Sequence, residues 1–163
     1  LDFHNDDDNG LTFNPDKLIV PITRGGSVVG WVLAVPFVNA GNYPSLEEND
    51  TYSNRVKEFY SSLMAYLAKK TEYQAVHPVV AMGHFVVGGS DFMGHDHIIG
   101  GVESTDGRLL ASIEGIDYWA LGHVHHPQFI VNQKNMRYSG SVMPVSFDES
   151  FAGSGEAEEA KSE

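Results

Sequence analysis

The chain has 163 residues, of which 42% are hydrophobic and 20% charged, an ordinary composition for a globular domain with its own core. It contains no cysteine, which excludes disulfides and thiolate metal sites. No apolar run approaches the roughly 20 residues that a membrane span needs, and no basic-then-apolar signal pattern is visible at the start of the sequence. We therefore expect a cytoplasmic protein that does not associate with membranes.

The formal net charge of -12 is concentrated at the two ends of the sequence. Residues 1–10 hold four Asp and no Lys or Arg (-4), and residues 147–163 hold six acidic residues and one Lys (-5), which leaves -3 for residues 11–146. We interpret the ends as solvated segments, with a domain over residues 1–150 and a disordered acidic tail over residues 151–163. The nearly neutral body neither indicates nor excludes DNA binding.

The first predicted elements are a hairpin and an amphipathic helix. The β-rich segments 17–23 and 28–37 flank the turn Arg24-Gly25-Gly26-Ser27, a pattern that predicts a β-hairpin. Residues 50–70 form the clearest helix, because apolar residues recur there at helical spacing. The predicted core positions of this helix are Val56, Phe59, Tyr60, Leu63, Met64 and Leu67.

Two later strands are predicted to end in Gly-His. Residues 77–82 run into Gly83-His84, and residues 116–121 run into Gly122-His123-Val124-His125. With the helix, these strands predict an α/β fold. The other predicted elements are an irregular Gly-rich segment (85–100), a short helical turn (108–114), hairpin strands (127–132 and 136–139) and a turn (139–141).

The histidines at these strand ends are the candidate metal ligands. Ligands gather at the carboxyl ends of strands in α/β sheets, and neutral imidazole binds Zn, Mn, Fe or Ni. Glycine before each histidine allows a sharp turn and a close approach by a ligand. In an extended chain His123 and His125 would point to one side, about 6–7 Å apart, which suits two metals better than chelation of one. We therefore predict that His84, His123 and His125 are metal ligands.

The evidence for a metal-binding or phosphate-binding role is weaker at the other histidines and at the Gly-rich segment 87–90. His95-Asp96-His97 repeats the His-x-His spacing, but no apolar strand runs into it, so we interpret it as a surface loop. His126 would point away from its neighbouring ligand and is interpreted as a substrate-side or surface residue. Nothing in the sequence around His4 or His77 indicates that either residue binds a metal. Val87-Gly88-Gly89-Ser90 lacks the Lys and Ser/Thr of a phosphate-binding loop and is interpreted as a flexible loop.

The two Gly-His motifs together resemble the last two metal motifs of the calcineurin-like metallophosphoesterases. Their flanks resemble more narrowly the SbcD-type nuclease subunits of bacterial DNA-repair complexes, over residues from about 30 to 149. The segments that carry this resemblance are Ala34-Val35-Pro36-Phe37, Met82-Gly83-His84-Phe85, Asp117-Tyr118-Trp119-Ala120-Leu121-Gly122-His123, Tyr138-Ser139-Gly140-Ser141 and Met143-Pro144-Val145-Ser146-Phe147-Asp148-Glu149.

The resemblance implies a DNA exonuclease that hydrolyses phosphodiester bonds with two divalent metal ions, for which Mn²⁺ is expected. It implies that His84 and His123 bind one metal and that His125 binds the other. It further implies the C-terminal part of a four-layer αββα phosphoesterase domain, with DNA and an SbcC-type ATPase subunit as partners.

The sequence departs from this family in one respect. The earlier family motifs Asp-x-His, Gly-Asp-x-x-Asp and Gly-Asn-His-Asp are absent, so the catalytic residues and the remaining ligands are expected upstream. We therefore expect a piece of a larger protein that binds one metal weakly and lacks nuclease activity alone. Half of a sandwich would leave an open sheet face and unpaired edges, which a homodimer could cover.

Three alternative interpretations stay open. The chain could belong to another phosphoesterase that acts on nucleotides or phosphoproteins, although the segment 139–149 favours the SbcD branch. It could be a non-enzymatic module that contacts a partner ATPase or a second copy of itself. The histidines could also have only structural roles.

Overall fold

The computed structural model describes residues 13–90, 103–130 and 132–143, which form one mixed sheet with helices. The predicted α/β fold is confirmed. The strands are β1 (Ile19–Arg24), β2 (Ser27–Ala34), β3 (Val79–His84), β4 (Tyr118–Gly122), β5 (Gln128–Ile130) and β6 (Gln133–Tyr138). The helices are α1 (Tyr52–Leu67) and α2 (Gly107–Ala111), with 3-10 turns at Pro15–Lys17 and Ala40–Asn42.

The strand order across the sheet is β1-β2-β3-β4-β6-β5. The four central strands are parallel, and each edge strand is the antiparallel partner in a hairpin, so both predicted hairpins are confirmed. Parallel pairing brings the carboxyl ends of β2, β3, β4 and β6 to the same edge. The register places His84 opposite Gly122, so the two Gly-His motifs lie side by side at this edge.

Helix α1 covers one face of the sheet. All six of its predicted core positions are buried. Thr51 caps the start of the helix, its side-chain oxygen accepting the Asn54 N–H at 3.3 Å. Tyr60 packs against Trp119 of β4 with a ring-centroid distance of 4.8 Å, and its hydroxyl donates to the Met82 carbonyl at 2.7 Å. The helix is therefore attached to the two strands that end in Gly-His.

The other side of the sheet, which we call the open face, is formed by alternate residues of the same strands. Side chains alternate between the two faces of a strand, so Val79 and Ala81 are buried while Val80 and Met82 are not. The strand register arranges the open-face residues in two rows, which are Val20-Val32-Val80-Tyr118 and Ala34-Met82-Ala120-Arg137. None of these eight residues is buried by the part of the chain that the structure describes.

Several predictions fall outside the described residues: the His95-Asp96-His97 loop, the acidic segment 1–10, the end of the resemblance at 144–149 and the tail 151–163. Among the residues that are described, no helix combines the length and the apolar character needed to cross a membrane.

Candidate metal centre

His84 and His123 come together at the carboxyl edge of the sheet. His84 is the last residue of β3, and His123 follows the last residue of β4. Their ring centroids are 5.3 Å apart, and the rings are nearly perpendicular, with an interplanar angle of 85°. Two histidines separated by 38 intervening positions thus meet because the strands that carry them are parallel neighbours.

The backbone leaves the strand at His123. Strand β4 ends at Gly122, and His123 has a φ of 96°, a value that L-residues rarely adopt. The extended backbone that was predicted to place His123 and His125 on one side is therefore absent at His123. Strained backbone is often found at functional sites, and here it occurs at a predicted ligand.

The glycines before the histidines provide space. Neither Gly83 nor Gly122 has a left-handed φ, and it is His123, directly after Gly122, that has one. A Cβ on Gly122 would lie 2.9 Å from His84 Nδ1. A Cβ on Gly83 would overlap the Phe85 ring on the opposite face. Any larger residue at either position would displace the ring that packs against it.

A turn at residues 139–141 supports the loop that carries His125. The Ser141 N–H donates to the His125 carbonyl at 2.9 Å, and the Ser139 N–H donates to the Leu121 carbonyl at 3.1 Å. Gly140 has a φ of 75°, and a Cβ there would lie 2.8 Å from the His125 carbonyl oxygen. The predicted turn is therefore present, and it packs directly against a predicted ligand loop.

Tyr138 secures the chain that follows His84, a role that no local sequence pattern predicts. Its buried hydroxyl donates to the Phe85 carbonyl and accepts from the Val87 N–H, both at 2.8 Å. These bonds tie the segment after β3 to β6. The tyrosine was visible in the sequence as part of a motif, but its partners lie more than 50 residues away and only the fold reveals them.

The surroundings of His84 favour its neutral form. Partial burial lowers the pKa of His84, and the nearby His123 and His125 lower this pKa further. Neutral imidazole is the form that binds a metal ion. We refer to His84, His123 and His125, which are near enough to interact electrostatically, as the histidine cluster.

The cluster is an incomplete donor set. Within residues 13–90, 103–130 and 132–143, no group of three or more His, Cys, Asp or Glu is arranged to hold a metal ion. The imidazoles suit Mn²⁺, Zn²⁺ or Fe²⁺ by their chemistry, but a two-metal site also needs carboxylates. The assignment of His84, His123 and His125 as ligands therefore stays a prediction.

A cleft of about 620 Å³ joins the cluster to the open face. His84 and Ser139 line it at the carboxyl edge, and Arg137 lines it further along the sheet. Phe37, in the loop after β2, also lines this cleft and meets the His84 ring edge to face at 5.7 Å between centroids. Phe37 and Arg137 were not predicted to belong to the site, because their proximity to His84 depends on the strand order.

The remaining histidines have no established role. His126 is half-buried, and its Nδ1 is buried without a hydrogen-bond partner in the described structure. The same holds for His77, at the opposite end of β3 from His84. The prediction of a substrate-side or surface role for His126 is untested.

Comparison with known proteins identifies nuclease subunits as similar. The chain is 28% identical over 141 residues to the SbcD subunit of the nuclease SbcCD from Rhodobacter capsulatus, an alignment that covers 82% of this chain and 34% of that protein. It is 37% identical over 75 residues to the SbcD protein of Escherichia coli K12 and 38% identical over 72 residues to that of Staphylococcus epidermidis. These two alignments cover 44% and 43% of this chain, and 18% of each relative.

No protein-family model matches the chain. The chain spans about a third, or less, of the length of the curated relatives it matches. These relatives nevertheless all carry the same name, which supports the resemblance to SbcD-type nucleases noted in the sequence. The chain is thus similar to part of the SbcD subunit of an SbcCD nuclease.

Proposed function

We propose that this chain is the C-terminal part of the phosphoesterase domain of an SbcD-like nuclease, a metal-dependent enzyme of DNA repair. The observation that carries the proposal is the position of His84 and His123, 5.3 Å apart at the carboxyl ends of adjacent parallel strands. Ligand sites of α/β sheets form at this edge. The similarity to named nuclease subunits supports phosphodiester hydrolysis as the reaction.

In this proposal His84 and His123 bind one divalent ion and His125 binds the other, with Mn²⁺ as the expected metal. Bound ions of this kind supply positive charge beside the phosphate and hydroxide near neutral pH. The protein's own contribution is to orient the imidazoles. Gly122 leaves room for the His84 ring, and the turn at 139–141 holds the His125 loop.

The remaining ligands would come from a second sheet packed against the open face. Its rows contain apolar side chains such as Val80 and Met82, which are suited to packing rather than to lasting contact with water. The aligned region is 34% of the Rhodobacter capsulatus relative, which leaves ample sequence for such a sheet. DNA and an SbcC-type ATPase subunit are the proposed partners of the whole protein.

The test is a calorimetric Mn²⁺ titration of residues 1–163 and of the His123→Ala and His77→Ala variants. We expect weak binding that His123→Ala removes and that His77→Ala, at the far end of β3, leaves unchanged. We also expect no cleavage of DNA by residues 1–163 alone. Mn²⁺ binding that is unchanged in His123→Ala would refute the assignment of His123 as a metal ligand. Robust Mn²⁺-dependent DNA cleavage that requires His123 would refute the claim that the site is incomplete.

A non-enzymatic binding module is the second candidate. The incomplete donor set and the open apolar face favour it, because both are expected of a surface that only contacts a partner. The same titration separates the two candidates. Native circular dichroism together with no Mn²⁺ binding at any concentration would favour the module.

A further inference from the structure

Phe37 is an exposed aromatic side chain beside the histidine cluster. Its exposed fraction is 56%, whereas Phe13, Phe59 and Phe85 are buried. The ring contacts His84 edge to face, at 5.7 Å between centroids. The buried phenylalanines pack in the core, whereas the described residues leave the Phe37 ring largely in water beside a predicted metal ligand.

The backbone on both sides of Phe37 is held firmly. Val35 and Val38 are both buried in the core, and Pro36 restricts the chain between them. The segment directly follows β2, whose last residue pairs with Met82 of β3. The buried neighbours therefore fix the backbone at Phe37, while its ring is exposed at the carboxyl edge of the sheet.

We propose that Phe37 is a stacking platform for a nucleobase of the DNA strand whose phosphate lies at the histidines. This inference rests on the proposed nuclease function. Phe37 and His84 line the same cleft, and their separation is short enough for the base and the phosphate of one nucleotide to reach both. Every base has a π-face, so such a contact is independent of sequence, as a DNA nuclease acting at different ends requires.

Stacking also compensates for weak electrostatic attraction. Residues 11–146 carry a net charge of -3, so the body of the protein does not attract a polyanion through its overall charge. Base–aromatic stacking strengthens binding by roughly 5- to 150-fold for each base. One well-placed aromatic ring would therefore be a large part of the affinity for a short strand.

The experiment follows tryptophan fluorescence of Phe37→Trp in residues 1–163 during titration with a thymidine trinucleotide. Trp31 and Trp119 are 3% and 1% exposed, so they contribute a constant background. An abasic trinucleotide of the same length is the matched probe. We expect saturable quenching by the thymidine probe and none by the abasic probe.

Three further variants sharpen the result. Phe37→Ala should weaken binding of the thymidine probe on the order of tenfold, and Phe37→Tyr should retain it. Phe129→Trp is the control, because Phe129 is similarly exposed (52%) but lies on the edge strand β5. Circular dichroism of each variant confirms that the fold is retained.

Quenching that is equal for the two probes, or absent up to millimolar concentration, would overturn the stacking proposal. Its failure is distinguishable from failure of the nuclease proposal. If Mn²⁺ binding requires His123 but quenching does not depend on bases, the metal site stands without the platform. If quenching depends on bases but no Mn²⁺ binding requires His123, the platform stands without the metal site.

Discussion

The two faces of the sheet are built from alternate residues of the same strands, yet their side chains are buried to very different extents. In β4, Trp119 is fully buried under α1, while the adjacent Tyr118 on the open face is only half-buried. In β3, Ala81 is buried and the next residue, Met82, is 45% exposed. Among the described residues, the covered face therefore holds the core, and the open face is left more accessible.

The candidate metal centre lies where these two environments meet. Gly83 faces the covered side and is packed against Phe85, whereas His84, one residue later, faces the cleft on the open side. The covered face positions the strand ends through Tyr60 and Tyr138, whose hydroxyls bond the backbone around His84. A site at this edge combines rigid support from one face with access from the other.

The largest expected effect comes from replacing the neighbouring aromatics of β4. Trp119→Ala should lower the free energy of unfolding by about 3–5 kcal/mol, because it leaves a cavity under α1. Tyr118→Ala should cost less than half of that, because its ring is already partly in water. Urea unfolding measures both. Equal losses would show that the open face is packed in solution and would contradict the comparison.

Substituting the two glycines that precede the histidines should distinguish an effect on stability, at Gly83, from an effect on the geometry of the site, at Gly122. Gly83→Ala should destabilise the protein by about 1–3 kcal/mol, since its Cβ would overlap the Phe85 ring. Gly122→Ala should cost less, because the group it displaces is the partly exposed His84 imidazole. It should instead shift the His84 ring resonances in an NMR spectrum.

Gly41→Ala is the control for these two variants, because a Cβ there would meet nothing within 4 Å. An unchanged His84 spectrum in Gly122→Ala would show that this glycine does not position the ring. A Gly83→Ala variant as stable as Gly41→Ala would show that the covered face tolerates extra volume at the strand end.

The smallest expected effect concerns the rim of the covered face, where Asp16 joins the end of α1. Hydrogen bonds from Lys70 and from Tyr66 lower the pKa of Asp16 below its usual value. The ion pair therefore stabilises the fold above the ordinary pKa of Asp, and this contribution is lost as the pH falls through the lowered value. Because Asp16 is exposed, Asp16→Asn should cost only a few tenths of a kcal/mol at pH 7.

Urea unfolding of wild type and Asp16→Asn at pH 7 and at pH 2 checks this prediction. The difference between the two proteins should shrink from pH 7 to pH 2, because the carboxylate loses its charge as the pH falls through its lowered pKa. A difference that persists unchanged at pH 2 would show that the hydrogen bonds act independently of the carboxylate charge.

Much of the fold was predictable because local patterns specify it. Helical spacing predicted every buried position of α1, and Gly-Gly between two β-rich segments predicted the β1–β2 hairpin. Apolar runs that end in Gly-His predicted β3 and β4. These signals are carried by residues close together in the chain, so they can be recognised without knowing the sheet order.

Less of the candidate site was predictable, because its details depend on contacts between distant segments. The extended chain expected at His123 is replaced by a left-handed residue, since β4 ends one residue earlier. The two glycines were expected to turn the chain, but they make room for the His84 and Phe85 rings. Phe37 became a candidate only when the parallel pairing of β2 and β3 brought it to His84.

By itself, the sequence determined the type and approximate limits of the described strands and α-helices, though not of the two 3-10 turns, and it identified the three histidines at the strand ends. Spacing, turn residues and apolar runs are sufficient for that, because they act over a few residues. Only the tertiary structure decided that His84 and His123 lie side by side, that Gly122 leaves room for the imidazole, and that the described residues cover one face of the sheet more than the other. These features arise from strand order and register, which no local pattern specifies.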